Sequence, residues 1–110
     1  MRTRTLARVT LSLLCLALSP LALAQGAAGA QALYTQSLAA TCANCHGTNG
    51  KVTQGSSVPA LAGLDQSYIV AQMDAFKSGA RPATVMHQLS KGFNDAQIAS
   101  LAAYFAAQKK

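Results

Sequence analysis

Two cysteines and a histidine stand close together near the middle of the chain, in the order Cys42-Ala43-Asn44-Cys45-His46. Positions three and four residues apart share one face of a helix, so both thiols and the imidazole would point to the same side. Two thiols at this spacing can form thioethers with the two vinyl groups of one porphyrin, and the histidine can then bind its iron. The pattern C-x-x-C-H is the attachment motif of c-type haem. We therefore predict one covalently attached haem c, held by Cys42 and Cys45, with His46 as an iron ligand.

Other chemistries use similar residues. A C-x-x-C pair also serves dithiol oxidoreductases, which place it near a βαβ unit, but no alternating strand pattern appears in this sequence. A zinc site takes about four ligands, and beyond the N-terminal segment the chain has only two Cys and two His. A haem with an open sixth position would instead make the protein a haem enzyme or ligand sensor. Two alternatives therefore stay open, a dithiol oxidoreductase and a haem protein with an open sixth position, and experiments can distinguish them.

The sixth iron ligand separates an electron carrier from a catalyst, because a Met opposite His is typical of electron-transfer cytochromes. Met73 falls on the apolar stripe of a predicted helix, which favours core packing. Met86 follows a proline-directed bend, in a segment with weak periodicity that could close over the haem, so we predict Met86 as the ligand. His87 would then face away, since neighbouring helical residues diverge by about 100°, and we interpret it as a rim or surface residue. The carbonyl of Pro59 is the predicted acceptor for the second ring nitrogen of His46.

The N-terminal residues have the pattern of a secretory signal peptide. Three arginines precede an apolar run over residues 9–18, which is shorter than the ~20 residues needed to cross a bilayer, and Pro20 follows it. Small residues then permit cleavage after Ala24 or, alternatively, after Ala30. We predict a signal peptide at 1–24, and its cleavage would also remove Cys15. A flexible lead-in at 25–30 and a domain with c-type haem at 31–110 would follow. The expected location is the periplasm.

Charge argues against several functions. Removal of three signal arginines lowers the formal net charge from +6 to +3, which is too mild for the dense basic patch of a nucleic-acid-binding domain. No membrane span is expected after signal cleavage. Four basic residues could favour an acidic partner surface, although each is also typical of ordinary solvated charge: Lys51, Lys77, Arg81 and Lys91.

Helical signals predict an all-α domain of three to four short helices. The first helix is expected from Gln31, the second after an Asp65 cap up to Gly79, a short one after Thr84, and the last after Asn94. About 86 residues remain after signal removal, and only six aromatic residues are present in the whole chain. A chain of this size is marginal without an additional stabilising group. We expect the haem to supply the missing apolar core.

Several segments resemble a known family. Residues 42–47, Pro59-Ala60-Leu61-Ala62-Gly63 and residues 68–76 resemble small periplasmic class I cytochromes c. Pro82-Ala83-Thr84-Val85-Met86-His87 and the final helix through Phe105 resemble, more narrowly, the cytochrome subunit of flavocytochrome c sulfide dehydrogenase. The resemblance implies a class I cytochrome c fold with crossing first and last helices, wrapped around one haem. It also implies His46 and Met86 as axial ligands.

The resemblance further implies an electron carrier rather than an enzyme. One electron would be transferred by Fe(III)/Fe(II) cycling, with both axial ligands retained. Redox proteins are the expected partners, among them a flavoprotein sulfide dehydrogenase subunit. Related cytochrome subunits often carry two haem domains, whereas this chain has one C-x-x-C-H. It also lacks a G-x-G-x-x-G fingerprint, so any flavin would belong to a separate chain.

Overall fold

The computed structural model describes the backbone of residues 19–110 and the side chains from residue 26 onward. Within this range the secondary structure is helical, without strands. The helices are α1 (Ser19–His46), α2 (Gln66–Ser78), α3 (Met86–Leu89) and α4 (Asp95–Ala106), and two 3-10 turns occupy Thr48–Gly50 and Ser90–Gly92. The predicted all-α fold of four helices is confirmed.

The start of α1 differs from the prediction. The helix begins at Ser19 and not at Gln31, so the residues expected to form a flexible lead-in, 25–30, are helical. Alanine has the highest helix propensity, and the many alanines of this segment outweigh the cost of Gly26 and Gly29. Pro20 lies in the first turn, where proline is tolerated because no intrahelical bond is lost.

The remaining N-terminal predictions fall mostly outside the described residues. This applies to the arginines, the apolar run and Cys15, all of which precede residue 19. No helix within residues 19–110 has both the length and the apolar character needed to cross a membrane. The chain divides into two units, Met1–Leu33 and Tyr34–Lys110. The core and the site described below belong to the second unit.

Three helix ends follow the sequence signals. The side chain of Asp65 accepts a hydrogen bond from the backbone N–H of Tyr68 and caps α2. Gly79 ends that helix in the left-handed conformation, with φ of 82°, which glycine adopts at little cost. Asn94 and Gln97 form a reciprocal capping box at α4, with both bonds 2.9 Å long. These caps fix where the two longer helices of the second unit begin.

The short helix α3 does not use the predicted cap. Val85, and not Thr84, is its N-cap residue, and Val85 makes no side-chain capping bond. Helix α3 packs against α2 and continues into the 3-10 turn. Its position therefore depends on tertiary packing more than on capping.

The core of the second unit is small. The buried hydrophobic residues among those described are Ala39, Ala62, Ile69, Ile98, Leu101, Ala102 and Phe105, and three of the seven are alanines. Ala39 of α1 lies in one cluster with residues of α2 and α4. The hydroxyl of Tyr34 also accepts a hydrogen bond from Nε2 of Gln97, at 2.6 Å. The first and last helices are thus in contact, and α4 supplies four of the seven buried hydrophobic residues.

Candidate haem-binding site

The C-x-x-C-H residues form the C-terminal end of α1. Cys42 and Cys45 stand three positions apart on this helix, and both are free thiols. Cys42 is half-buried against the core cluster, whereas Cys45 is exposed. His46 is the last residue of the helix and is only 9% exposed. The helix therefore places the three predicted residues within two turns, as the spacing indicated.

Burial raises the pKa of the Cys42 thiol, and its hydrogen bond with the Thr41 hydroxyl only partly opposes this effect. The surroundings of this sulfur thus disfavour a thiolate anion. A thioether carries no charge, so the same half-buried position is well suited to a sulfur bonded to an apolar porphyrin edge. The chemistry of this site fits covalent haem attachment.

The imidazole of His46 is held by a backbone carbonyl. Its Nδ1 lies 2.8 Å from the carbonyl oxygen of Pro59. A carbonyl can only accept, so Nδ1 carries the proton, and Nε2 is the nitrogen with a lone pair for a metal. Metal-bound histidines usually donate their second N–H in this way, which fixes ring orientation and increases ligand basicity. The contact predicted for Pro59 is present, and it leaves His46 with the tautomer that an Nε2 ligand requires.

The loop after His46 brings Pro59 back towards the ring. Gly47 has φ of 74°, and a Cβ there would lie 2.0 Å from the carbonyl oxygen of Lys51, so the turn requires glycine. The carbonyl of Gly50 accepts hydrogen bonds from the N–H groups of Leu61 and Ala62, at 2.8 and 3.1 Å. These bonds join the 3-10 turn to the segment that contains Pro59. Local backbone bonding thus sets the position of the acceptor for His46.

The two methionines have different surroundings. Met73 packs against the hydrophobic cluster, which agrees with its predicted core role. Met86 is half-buried at the first position of α3 and does not belong to that cluster. On the same short segment, Val85 and Leu89 are about half exposed, at 52% and 51%. This short segment therefore leaves apolar side chains that the described core does not cover.

Two polar residues after Met86 have buried atoms without hydrogen-bond partners. His87, predicted to be a rim or surface residue, is half-buried, and its Nδ1 is a buried atom without a hydrogen-bond partner. Ser90 is completely buried, and its Oγ likewise has no partner. Sequence reasoning missed Ser90, because a serine between leucine and lysine carries no signal of burial.

Several characterised proteins are similar to this chain. Cytochrome c4 of Pseudomonas aeruginosa is 40% identical over 97 residues, which are 88% of this chain and 46% of the relative. A thiosulfate dehydrogenase electron acceptor of Thiomonas intermedia is 38% identical, over 64% of this chain and 33% of that protein. The cytochrome subunit of sulfide dehydrogenase of Chlorobaculum tepidum is also 38% identical, over 62% of this chain and 60% of the subunit.

A solved structure supports the same fold. The structure of Acidithiobacillus ferrooxidans cytochrome c4 has a TM-score of 0.56 and 36% identity, and it covers 60% of this chain and 38% of the other. The chain thus spans about half the length of the cytochrome c4 sequence from Pseudomonas and a smaller part of the solved cytochrome c4. The family model for cytochrome c matches residues 27–109, and this chain belongs to the cytochrome c family, whose members bind haem c covalently.

Proposed function

We propose that the domain of residues 31–110 is a monohaem electron carrier with His46 and Met86 as axial ligands. The observation that carries this proposal is the free cysteine pair at helical spacing, followed by a buried histidine whose Nδ1 donates to Pro59. A dithiol oxidoreductase gives this bond no role, whereas a metal-bound imidazole is usually oriented by one of this kind. Membership of the cytochrome c family supports the same reading.

Each residue has a definite task in this proposal. When bound, the haem supplies a one-electron Fe(III)/Fe(II) couple. Cys42 and Cys45 anchor its edge, and His46 presents Nε2 in an orientation that the Pro59 carbonyl maintains. Met86 would be the sixth ligand of the bound haem, which would raise the reduction potential and leave no place for a substrate on iron. The protein is then a carrier and not an enzyme.

The sixth ligand is tested with two matched substitutions, Met86→Leu and Met73→Leu. We expect Met86→Leu to abolish the ferric charge-transfer band of methionine ligation and to lower the reduction potential. Met73→Leu should preserve both, because a volume-conserving core change costs less than about 1.5 kcal/mol. The measurement is absorption spectroscopy with potentiometry on the haem-containing protein.

Two results would favour the alternatives. High-spin iron in the wild-type protein that binds carbon monoxide readily would indicate an open sixth position, and therefore a haem enzyme or ligand sensor. Free thiols at Cys42 and Cys45 in the exported protein, with no mass added by a tetrapyrrole, would favour a dithiol oxidoreductase. Intact-mass analysis under denaturing conditions distinguishes these cases, since only thioether-linked haem remains attached.

The proposed location is the periplasm, after removal of residues 1–24. The basic start, the short apolar run and the small residues before Ala24 support this. N-terminal sequencing of the exported protein tests it, and a start at Gln25 is expected. A start at Gln31 would place cleavage after Ala30, and an intact Met1 on exported protein would contradict the signal peptide.

The proposed partner is a flavoprotein sulfide dehydrogenase subunit. Similarity to the cytochrome subunit from Chlorobaculum tepidum supports it. Among the basic residues considered for docking, Lys77 pairs with Asp95 at 3.1 Å, and Arg81 lies 4.7 Å above the ring of Phe76. Lys51 and Lys91 are exposed and are the better candidates for contact with an acidic surface.

Stopped-flow reduction of the haem-containing protein tests the partner. A sulfide-reduced flavoprotein should reduce it rapidly, with a rate that falls as ionic strength rises. Charge reversal at both sites, Lys51→Glu with Lys91→Glu, should slow the reaction. Faster reduction by a thiosulfate dehydrogenase than by the flavoprotein would contradict the proposed partner and indicate that this carrier accepts electrons from the thiosulfate dehydrogenase.

A further inference from the structure

Helix α4 contacts the loop that follows the haem motif through one side-chain bond. The hydroxyl of Tyr104 donates to Oδ1 of Asn49, at 2.7 Å, across 55 positions of sequence. Asn49 is the one non-glycine residue with a positive φ, 55°, among the residues that the structure describes. Asparagine tolerates this left-handed conformation better than most residues. Tyr104 therefore holds the 3-10 turn at Asn49, the residue with the left-handed backbone conformation.

The same helix also holds the segment that contains Pro59. The N–H of Gly63 donates to the carbonyl of Phe105, at 2.9 Å. Gly50, next to Asn49, packs so closely that a Cβ would lie 2.9 Å from Cδ1 of Phe105. The carbonyl of Gly50 in turn accepts hydrogen bonds from the N–H groups of Leu61 and Ala62. Two consecutive residues of α4 thus hold the backbone on both sides of Pro59: Tyr104 binds the turn before it, and Phe105 binds Gly63 after it.

We propose that Tyr104 is a positioning residue for His46. The path runs from the Tyr104 hydroxyl to Asn49, through Gly50 to Leu61 and Ala62, and ends at the Pro59 carbonyl that accepts from His46 Nδ1. The inference rests on the proposed function, in which His46 binds iron. Tyr104 does not touch the imidazole itself. It acts by keeping the carbonyl of Pro59 at hydrogen-bond distance.

The test compares Tyr104→Phe with Tyr34→Phe in the haem-containing protein. Both changes remove one hydroxyl that bonds to another element, but Tyr34 bonds to Gln97 at the start of α4, away from the loop. In Tyr104→Phe we expect amide hydrogen exchange of Leu61 and Ala62 to accelerate about two- to twelvefold, the effect of losing one net hydrogen bond. In Tyr34→Phe these two amides should exchange as in the wild type.

The reduction potential supplies a second readout that a purely structural role would not move. A weaker bond from Nδ1 makes the imidazole a poorer donor to iron. The ferric form then loses stabilisation, so the potential should rise in Tyr104→Phe and stay at the wild-type value in Tyr34→Phe. A lower potential in Tyr104→Phe, or equal shifts in both variants, would contradict the proposal.

Failure of the inference is distinguishable from failure of the proposed function. Normal haem attachment and His46 ligation, combined with unchanged exchange and potential in Tyr104→Phe, would overturn only the positioning role. A wild-type protein without haem at His46 would overturn both. Nuclear magnetic resonance separates the two outcomes, because a bound haem iron strongly changes the chemical shifts of the His46 ring protons.

Discussion

Gly50 and Gly55 share a backbone conformation but have opposite surroundings. Their φ values are 76° and 86°. A Cβ at Gly50 would lie within 2.9 Å of Leu61, Ala62 and Phe105, whereas a Cβ at Gly55 would meet nothing within 4 Å. The pair therefore separates the cost of a left-handed residue from the cost of a steric clash.

We predict that Gly55→Ala lowers the free energy of unfolding by about 1–2 kcal/mol, the cost of a left-handed alanine. Gly50→Ala should cost about 1–3 kcal/mol more, because the added methyl overpacks a contact that cannot open freely. Guanidinium denaturation of the haem-containing variants measures both values. Equal destabilisation would show that the loop at Gly50 relaxes easily.

The site residues differ in how far the sequence could identify them. The spacing of Cys42, Cys45 and His46 is local, so it was sufficient to predict their arrangement on one helix end. Pro59 could be identified because it lies only 13 positions after His46, so a short loop can bring its carbonyl back to the ring. The structure contains this bond. The burial of Ser90 depends on residues of other elements, and no local signal reports it. The role of Met86 stays a prediction.

Helix α4 offers a direct measurement of capping. Asn94 and Gln97 satisfy each other's backbone N–H groups. The change Asn94→Ala removes the side-chain acceptor of the Gln97 N–H, whereas the backbone N–H of residue 94 still donates to Gln97. We expect a loss of about 1 kcal/mol in the free energy of unfolding. Asn94→Ser is the control, since serine caps nearly as well, and it should cost only a few tenths of a kcal/mol. A similar loss in both variants would assign the effect to other contacts of Asn94.

Helix α2 offers a test of pH dependence. Hydrogen bonds from the Ser67 hydroxyl and, next, from the Tyr68 N–H lower the pKa of Asp65 below its ordinary value of 3.8. A depressed pKa means that the unfolded chain binds the proton more tightly, so the stabilisation is complete above pH 3.8 and is lost as pH falls through the folded pKa.

We therefore expect Asp65→Asn to be less stable than the wild type at neutral pH. The difference should diminish as pH falls below 3.8, where the wild-type carboxyl becomes protonated. Asparagine still caps the helix, so this comparison isolates the charge. Unfolding free energies measured across acid and neutral pH test the prediction, and a difference independent of pH would exclude the carboxylate as the cause.

At the scale of elements, local signals predicted some boundaries and missed others. Asp65, Gly79 and Asn94 act where their side chains or backbone freedom suggested, because capping involves only neighbouring residues. Val85 took the cap position expected for Thr84, since packing against α2 places α3. The early start of α1 follows from alanine propensity, which the prediction of a lead-in undervalued.

The part of the chain that the structure describes has a small apolar core. Seven hydrophobic residues there are buried, and three of them are alanines. We predict that a Cys42→Ala, Cys45→Ala variant, which cannot attach haem covalently, is largely unfolded. Circular dichroism should show loss of helical signal and of a cooperative transition, relative to the haem-containing wild type. A native-like cooperative spectrum in the double variant would contradict this account.

The sequence by itself determined the all-helical class, the haem motif and the caps of α2 and α4, because each depends on residues within a few positions of one another. Tertiary structure decided which side chains are buried, how α4 joins the loop after His46, and where α3 lies. Those features depend on contacts such as Tyr104 with Asn49, 55 positions apart. Distant pairs of this kind form only when the whole chain packs, so no local pattern encodes them.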